Sequence, residues 1–230
     1  MLATPDLAAV AALIADPSRA AMLAALLGGI SLPAGELARL ARISPQTASS
    51  HLSRLVEGGL LAVRINGRHR YYQLSSPQVA HALEALALVA PAPRVASLGH
   101  SLEIEAVRKA RTCYNHLAGR LGVTLTQTLI EKGYLLFHEE AYELSQSGED
   151  WFSNIGVEYG QSARKRANFA RTCLDWSERK PHLAGPLGVA LTRRLFKLEW
   201  IVRVEGSRGV KVTPFGRQQL ELELGMEWPG

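Results

Sequence analysis

The chain has 230 residues, 47% of them hydrophobic and 20% charged, with a formal net charge of +5. This length accommodates one large domain or two small ones, and the composition is typical of a globular protein. No apolar run reaches the length that spans a bilayer, and the start carries Asp6 and Asp16 without a basic leader, which argues against a signal peptide. With only two cysteines, we expect free thiols, a cytoplasmic location and no membrane association.

The positive charge is concentrated in one short segment. Between Arg39 and Tyr72 there are six arginines and a single acid, Glu57, so that segment alone carries a charge of +5 (six minus one). Such a concentration is typical of a phosphate-binding surface, although solvated charged surfaces are also common. The charge therefore points to nucleic acid without deciding the matter.

Four helices are predicted in the amino-terminal part. An apolar face over residues 7–14 predicts the first, and Asp16-Pro17 starts a second, which runs through Leu27. A short third helix carries Leu37, Leu40 and Ile43 on one face. The fourth begins at Ser44, a good N-cap followed by Pro45, and runs to Val56, which we expect to be buried. The last two helices, joined by a tight turn, form a helix-turn-helix pattern.

The segment LLAVRINGRHRYYQL then alternates with period two around Asn66-Gly67. This pattern predicts a β-hairpin in which both Asn66 and Gly67 have positive φ. The basic hairpin completes a winged helix-turn-helix.

The polar face of the fourth helix and the hairpin tip form the candidate DNA-binding surface. Glutamine and arginine can pair bidentately with base edges, serine and threonine can reach bases or phosphates, and the wing arginines would neutralise phosphates. For His51, packing beside Leu52 or a backbone hydrogen bond is an alternative to a base contact. The candidate residues are Ser44, Gln46, Thr47, Ser49, Ser50, His51, Ser53, Arg54, Arg64, Arg68, His69 and Arg70.

A family resemblance covers residues 5–90. It is carried by Asp16-Pro17-Ser18-Arg19, Gly35-Glu36-Leu37-Ala38, Ser44-Pro45-Gln46-Thr47-Ala48-Ser49-Ser50-His51-Leu52, Leu55, Gly59-Leu60, Gly67-Arg68 and Tyr71-Tyr72. In these residues the chain resembles the ArsR family of bacterial winged-helix repressors. The resemblance implies a homodimer that binds double-stranded DNA at an inverted-repeat operator, with the fourth helix in the major groove.

The metal ligands of that family do not carry over to this chain. Its founding sensors carry a cysteine pair in the helix before the recognition helix, where this chain has the thiol-free segment 36–40. Other members place an Asp/His pair on the helix after the wing, where residues 76–89 offer only His81. Any sensing is therefore expected elsewhere in the chain.

The second half of the sequence is a repeat. The prolines of Ala90-Pro91-Ala92-Pro93 predict a boundary, giving a DNA-binding domain over residues 1–90, a linker over 91–100 and an effector domain over 101–230. ARTC at 110–113 recurs at 170–173, and ten of the fourteen residues of 116–129 recur in 182–195. We place the two repeat units at about 105–160 and 165–225.

Each unit is expected to form helix, helix, hairpin and helix, like the back half of a winged helix. The ten residues from Val123 to Gly133 are too few for a turn and a full recognition helix, and acids lie at the hairpins. The units are therefore interpreted as degenerate winged-helix-like repeats without a DNA-reading role. The predicted fold class is mostly α with small β-hairpins, or α+β.

Two similar units tend to pack about a pseudo-twofold axis, which would bring Cys113 towards Cys173 and His116 towards His182. We expect Cys113 and His116 to be neighbours on one helix face, and no geometry is predicted for Cys173 and His182 across their longer spacing. Two thiols and two imidazoles could bind a soft metal or metalloid ion. Buried core residues, a redox pair and an organic ligand site are the alternatives.

The sequence as a whole favours a DNA-binding transcriptional regulator, a repressor released by an effector or by thiol modification in its second half. An architectural DNA-binding protein with a purely structural second half is the alternative. The chain contains no C-x-x-C, no G-x-S-x-G and no phosphate-binding loop, so an enzyme is not expected.

Overall fold

The computed structural model describes residues 5–91, 98–139 and 141–229. The chain forms two compact units, Met1–Glu84 and Ala85–Gly230. The division falls before the predicted domain end at residue 90, and residues 92–97 of the predicted linker lie outside the described residues. Among the described helices none is by itself long and apolar enough to cross a membrane, while the first two, bent by 91°, meet that requirement only as a pair.

The first unit is a winged helix-turn-helix, which confirms the predicted fold class. Its three-stranded antiparallel sheet has the order β1-β3-β2. The elements are α1 (Leu7–Ile14), α2 (Pro17–Leu26), β1 (Leu32–Pro33), α3 (Ala34–Ala41), α4 (Pro45–Glu57), β2 (Leu61–Asn66), β3 (His69–Leu74) and α5 (Pro77–Val89), the last of which crosses the division between the units.

Side-chain caps start the helices where the sequence predicts them. The Asp16 carboxylate accepts hydrogen bonds from the backbone N–H groups of Ser18 and Arg19, both at 2.9 Å, and the Ser44 hydroxyl accepts one from Thr47 at 3.2 Å. The helix α4 ends one residue later than predicted, and Val56 is half-buried rather than buried. The core of the unit is formed by fully buried side chains of Met22, Leu26, Leu37, Leu52 and Leu55.

The wing turn differs from the prediction. Asn66 is the last paired residue of β2, with His69 as its Cα partner, so the turn consists of Gly67 and Arg68. Gly67 has a φ of 59°, whereas Asn66 is not in the left-handed region. The prediction of positive φ at both residues was therefore wrong, because Asn66 remains in the ladder. The wing also gains a strand that was not predicted, β1, in which Leu32 pairs with Tyr72.

The second unit repeats the order helix, hairpin, helix, hairpin, helix. Its first copy comprises α6 (Leu98–Lys109), β4 (Arg111–Cys113), β5 (His116–Ala118), α7 (Gly119–Glu131), β6 (Leu135–His138), β7 (Ala141–Leu144) and α8 (Gln146–Asn154). The second comprises α9 (Gln161–Arg164), β8 (Thr172–Leu174), β9 (Pro181–Leu183), α10 (Gly185–Lys197), β10 (Ile201–Arg203), β11 (Val210–Val212) and α11 (Pro214–Leu224).

The repeated ARTC and HLAG segments form β-hairpins, not the helices expected from the sequence. Each of these first hairpins pairs at its outer edge with the later hairpin of the other repeat: Arg111 forms an antiparallel bridge with Gly209, and Arg171 forms one with Ala141. The Thr112 N–H donates to the carbonyl of Arg208 at 2.9 Å. This pairing involves distant parts of the chain, so the periodicity of a single segment could not show it.

The two central helices, α7 and α10, exchange hydrogen bonds with the opposite repeat. The Thr192 hydroxyl on α10 accepts from the Leu117 N–H at 2.9 Å, and the Thr126 hydroxyl on α7 accepts from the Leu183 N–H at 2.9 Å. Both threonines are 2% exposed, so each hydroxyl satisfies a backbone donor that has no access to water. Leucines at equivalent positions of the two helices complete the core: Leu121 and Leu187, Leu125 and Leu191, and Leu129 and Leu195.

Replacing either exchanging threonine with valine should destabilise the second unit. Thr126→Val or Thr192→Val leaves a buried N–H without an acceptor, which costs about 1–3 kcal/mol of unfolding free energy. The matched control is Thr128→Val, because the Thr128 hydroxyl, half-buried on α7, donates to the carbonyl of Thr124 four residues back. Urea unfolding followed by circular dichroism measures the difference, and equal losses in all three variants would contradict the exchange.

Candidate functional site

The helix α4 presents its polar face away from the core of the first unit. Ala48, Leu52 and Leu55 are fully buried, while the polar residues between them, except His51, are exposed. The exposed residues of this face are Ser44, Gln46, Thr47, Ser49, Ser50, Ser53 and Arg54. A helix with one apolar and one hydrogen-bonding face can enter a major groove while remaining packed on its domain.

The wing places exposed basic side chains beside this helix. The side chains of Arg64, Arg68, His69 and Arg70 are all exposed, at the end of β2, in the turn and at the start of β3. Exposed arginines on a projecting ribbon are suited to phosphate contacts, which position a protein on a duplex. The described geometry thus brings eleven of the twelve predicted DNA-binding residues to the surface.

His51 is the twelfth, and it lies against its own domain. Its Nδ1 is 3.3 Å from Arg19 Nη1, and its Nε2 is 3.7 Å from Asp16 Oδ1. Its side chain is 14% exposed. Arg19 also donates to the carbonyls of Leu13 and Ala12, at 2.7 and 2.9 Å. The ring is thereby held between α2 and α4, which favours the structural interpretation over a base contact.

The four chemistry-bearing residues of the repeats meet inside the second unit. Cys113 Sγ lies 3.8 Å from Cys173 Sγ, and His116 Nε2 lies 3.1 Å from His182 Nε2. One ligand atom from each residue falls within 4.8 Å of the other three. Cys113, His116 and His182 are buried and Cys173 is half-buried. The structure therefore brings together the residues that the sequence repeat predicts as neighbours.

Strand pairing, not a helix face, creates this Cys/His cluster. Cys113 and His116 are Cα partners across β4 and β5, and Cys173 and His182 are Cα partners across β8 and β9. The expectation of a shared helix face for Cys113 and His116 was wrong. The longer spacing of Cys173 and His182 is absorbed by an extended hairpin loop, so the register is the same in both repeats.

The cluster shifts the pKa values of His116 and Cys173. Burial lowers the pKa of His116, outweighing the hydrogen bond with Cys173 that raises it. The hydrogen bond from Cys113 lowers the pKa of the Cys173 thiol well below its usual range, with both imidazoles adding to the effect against the opposing influence of burial. A thiolate beside a neutral imidazole is the state in which these groups bind metal ions.

A buried ion pair lies next to the cluster. Arg111 Nη2 lies 2.8 Å from Asp175 Oδ2, and the side chains are 1% and 0% exposed. Burial raises the pKa of Asp175, but the Arg111 cation and hydrogen bonds from Ser177, Glu178 and Gly119 lower it to about 2. His182 Nδ1 lies 3.9 Å from the same carboxylate oxygen. Asp175 is therefore ionised, and its carboxylate lies near the Nδ1 atom of His182.

Sequence reasoning missed this ion pair. Asp175 lies in the loop of the β8–β9 hairpin, where nine positions separate Cys173 from His182 instead of the three that separate Cys113 from His116. The sequence shows six extra residues between the cysteine and the histidine of the second repeat. An acidic residue within this insertion could have indicated a charged group near the cluster. The contact with Arg111 was not predictable, because Arg111 belongs to the other repeat.

Comparison with known proteins identifies the first unit and relates the whole chain to regulators. A family described as a helix-turn-helix domain matches residues 14–64. The HTH-type transcriptional regulator CmtR of Mycobacterium tuberculosis is 38% identical over 76 residues, which are 33% of this chain and 64% of that protein. The solved structure of the cadmium metal-sensor CMTR from the same species is 35% identical, covers 40% of this chain and 94% of its own, and has a TM-score of 0.33.

A longer match covers both units. The uncharacterized HTH-type transcriptional regulator YdfF of Bacillus subtilis (strain 168) is 44% identical over 223 residues, which are 97% of this chain and 99% of that protein. The resemblance of the first ninety residues to the ArsR family agrees with this match. Because the similarity to YdfF extends over nearly the full length of both proteins, the chain belongs to the HTH-type transcriptional regulators, which are DNA-binding proteins rather than enzymes.

Proposed function

We propose that this regulator is a repressor that binds an inverted-repeat operator as a homodimer and releases it when an effector acts on the second unit. The observation that carries the proposal is the exposed polar face of α4 beside a wing with three exposed arginines. Base-reading side chains on the helix supply sequence preference, and the wing cations supply salt-dependent affinity. An architectural protein would need only the salt-dependent affinity that the wing supplies.

The helix α1 supports the homodimer. Its sequence LAAVAALI contains only apolar residues, yet none of them is buried, and Leu7 and Val10 are 76% and 39% exposed. An apolar helix at the surface of a small domain needs a covering partner, and a second copy of the chain supplies one by symmetry. A dimer also presents two copies of α4, as an inverted repeat requires.

The Cys/His cluster supports control by an effector. Its four residues lie in the second unit, outside the helix-turn-helix match at residues 14–64. Reactive or ligating side chains that are unnecessary for DNA binding are suited to a regulatory input, which acts by favouring one of two states of the dimer. The alternative, a purely structural second unit, requires no response to any ligand.

Arg54→Ala should weaken binding to the preferred duplex, identified by selection from a random-sequence library. Loss of one bidentate base contact costs about 1–3 kcal/mol, or about five- to 150-fold in affinity. Arg193→Ala is the matched control, since Arg193 is exposed on α10 and its loss changes the net charge equally. Fluorescence anisotropy at fixed salt measures the affinity of both variants for the duplex. Equal losses of affinity would show that Arg54 contributes only its charge.

The protected sequence separates a repressor from an architectural protein. Footprinting on the selected duplex should show two symmetric half-sites with about one helical turn between their centres. Uniform protection along any duplex, with no selected sequence, would favour the architectural function.

Val10→Glu should dissociate the dimer while leaving each monomer folded. A carboxylate in an apolar interface loses its hydration without gaining a partner, so we expect the dimer dissociation constant to rise at least about tenfold. Leu222→Glu is the control, because Leu222 is 70% exposed on α11 in the second unit. Sedimentation equilibrium compares the two, and an undisturbed Val10→Glu dimer would exclude α1 from the interface.

A further inference from the structure

The Cys/His cluster has the dimensions of a tetrahedral metal site. A tetrahedral ion with metal–sulfur bonds of about 2.3 Å and metal–nitrogen bonds of about 2.0–2.1 Å holds its two sulfurs about 3.8 Å apart and its two nitrogens about 3.3–3.4 Å apart. The observed separations are 3.8 Å between the sulfurs and 3.1 Å between the Nε2 atoms. The longest separation in the set is at most 4.8 Å, compared with about 3.6 Å between a sulfur and a nitrogen of such a site, so the side chains would have to move together when an ion binds.

The charge and the chemical softness of the four side chains limit which metal ions the cluster can bind. Two thiolates and two neutral imidazoles carry a charge of −2, which a divalent cation cancels, so the buried cluster becomes neutral. Two sulfurs and two nitrogens in tetrahedral arrangement are the ligand set of zinc and of its softer relative cadmium, not of magnesium or calcium. Four protein ligands without an open position are typical of a non-catalytic site.

The surroundings of the cluster resemble those of a metal-binding histidine. The Nδ1 of a ligating histidine commonly donates to a carboxylate, which fixes the ring orientation. His182 Nδ1 is buried, has no hydrogen-bond partner among the residues that the structure describes, and lies 3.9 Å from the Asp175 carboxylate. Asp175 is in turn held by Arg111 and by the Gly119 N–H at 2.7 Å. Cys173 is half-buried, which makes it the most exposed member of the cluster.

A thiol pair for redox chemistry explains less of this arrangement. Disulfide formation needs only the two sulfurs, brought from 3.8 Å to about 2.05 Å. It does not require the two imidazoles to bring their Nε2 atoms to 3.1 Å from one another, where they can share only one hydrogen bond. The convergence of all four atoms on one point is what a central cation requires.

We propose that Cys113, His116, Cys173 and His182 bind one thiophilic divalent cation of the zinc and cadmium class, tetrahedrally, between the two repeats of the second unit. Each repeat supplies one sulfur and one nitrogen, so the ion links the repeats. Its binding therefore stabilises their association and the fold of the whole unit. That this ion is also the effector rests on the proposed function.

The test uses the reduced, metal-depleted full-length protein titrated with Co²⁺, which takes the place of zinc and absorbs visible light. We expect one cobalt ion per chain, the intense visible bands of tetrahedral cobalt, a thiolate-to-cobalt charge-transfer band, and displacement of cobalt by Zn²⁺ or Cd²⁺. Zn²⁺ should also raise the melting temperature. A wild-type spectrum without the charge-transfer band or with only the weak bands of octahedral cobalt would overturn the proposal.

Variants assign the ligands. Cys173→Ser should weaken or abolish the charge-transfer band, and His182→Gln should lower cobalt affinity at least about tenfold. His138→Gln is the matched control, because His138 is a 63% exposed histidine of β6 outside the cluster, and it should bind cobalt like the wild type. If Cys173→Ser retains the wild-type spectrum, the proposal fails. The cobalt titration of the wild-type protein tests the proposed metal site even if a cluster variant does not fold.

Fluorescence anisotropy measures the DNA affinity of the same samples. It distinguishes a failure of the metal site from a failure of the proposed function. Zn²⁺ should reduce affinity for the selected duplex in the wild type but not in Cys113→Ser, which should still bind DNA. A tetrahedral cobalt spectrum without any change in DNA affinity would uphold the metal site and exclude this ion as the effector. Loss of DNA affinity on adding zinc without a cobalt spectrum would overturn the metal site and uphold effector control.

Discussion

The second unit depends on a reciprocal exchange of hydrogen bonds between two sequence repeats. Each central helix offers a threonine hydroxyl to a buried N–H of the other repeat, and each first hairpin extends the later hairpin of the other repeat. Since both of these contacts occur twice, equivalent positions on the two first hairpins are brought face to face. The convergence of Cys113, His116, Cys173 and His182 follows from this packing, and the duplicated sequence needs no further constraint to assemble it.

The repeated sequence therefore predicts the neighbours in the second unit better than it predicts their secondary structure. Identity of the two copies was enough to expect Cys113 near Cys173 and His116 near His182, because symmetric packing joins equivalent positions. The segment around Cys113 was expected to be helical, and it is a strand because the peptide groups beside it pair with residue 208 and its neighbours. A pattern measured within one segment cannot detect a partner that lies in the other repeat.

In the first unit the sequence was more informative, because its signals are local. Asp16-Pro17 and Ser44-Pro45 start helices through contacts that span three residues, and the alternation of β2 and β3 fixes the wing. What sequence reasoning missed depends on distant contacts. The Arg19 guanidinium reaches His51 and two carbonyls of α1, and the short β1 is a strand only through its pairing with β3.

The longer β8–β9 hairpin makes the two halves of the Cys/His cluster unequal. Among the described residues, the salt-bridge contacts place a carboxylate near His182 and none near His116, because Asp175 belongs to the insertion that the first hairpin does not share. An assembly of two identical polypeptides would carry any insertion on both sides of its axis. Joining both copies in one polypeptide removes that restriction, so one imidazole can have a carboxylate neighbour that the other lacks while the four residues stay in register. Each polypeptide then contains all four side chains of the cluster, so the cluster forms without a contribution from a second copy.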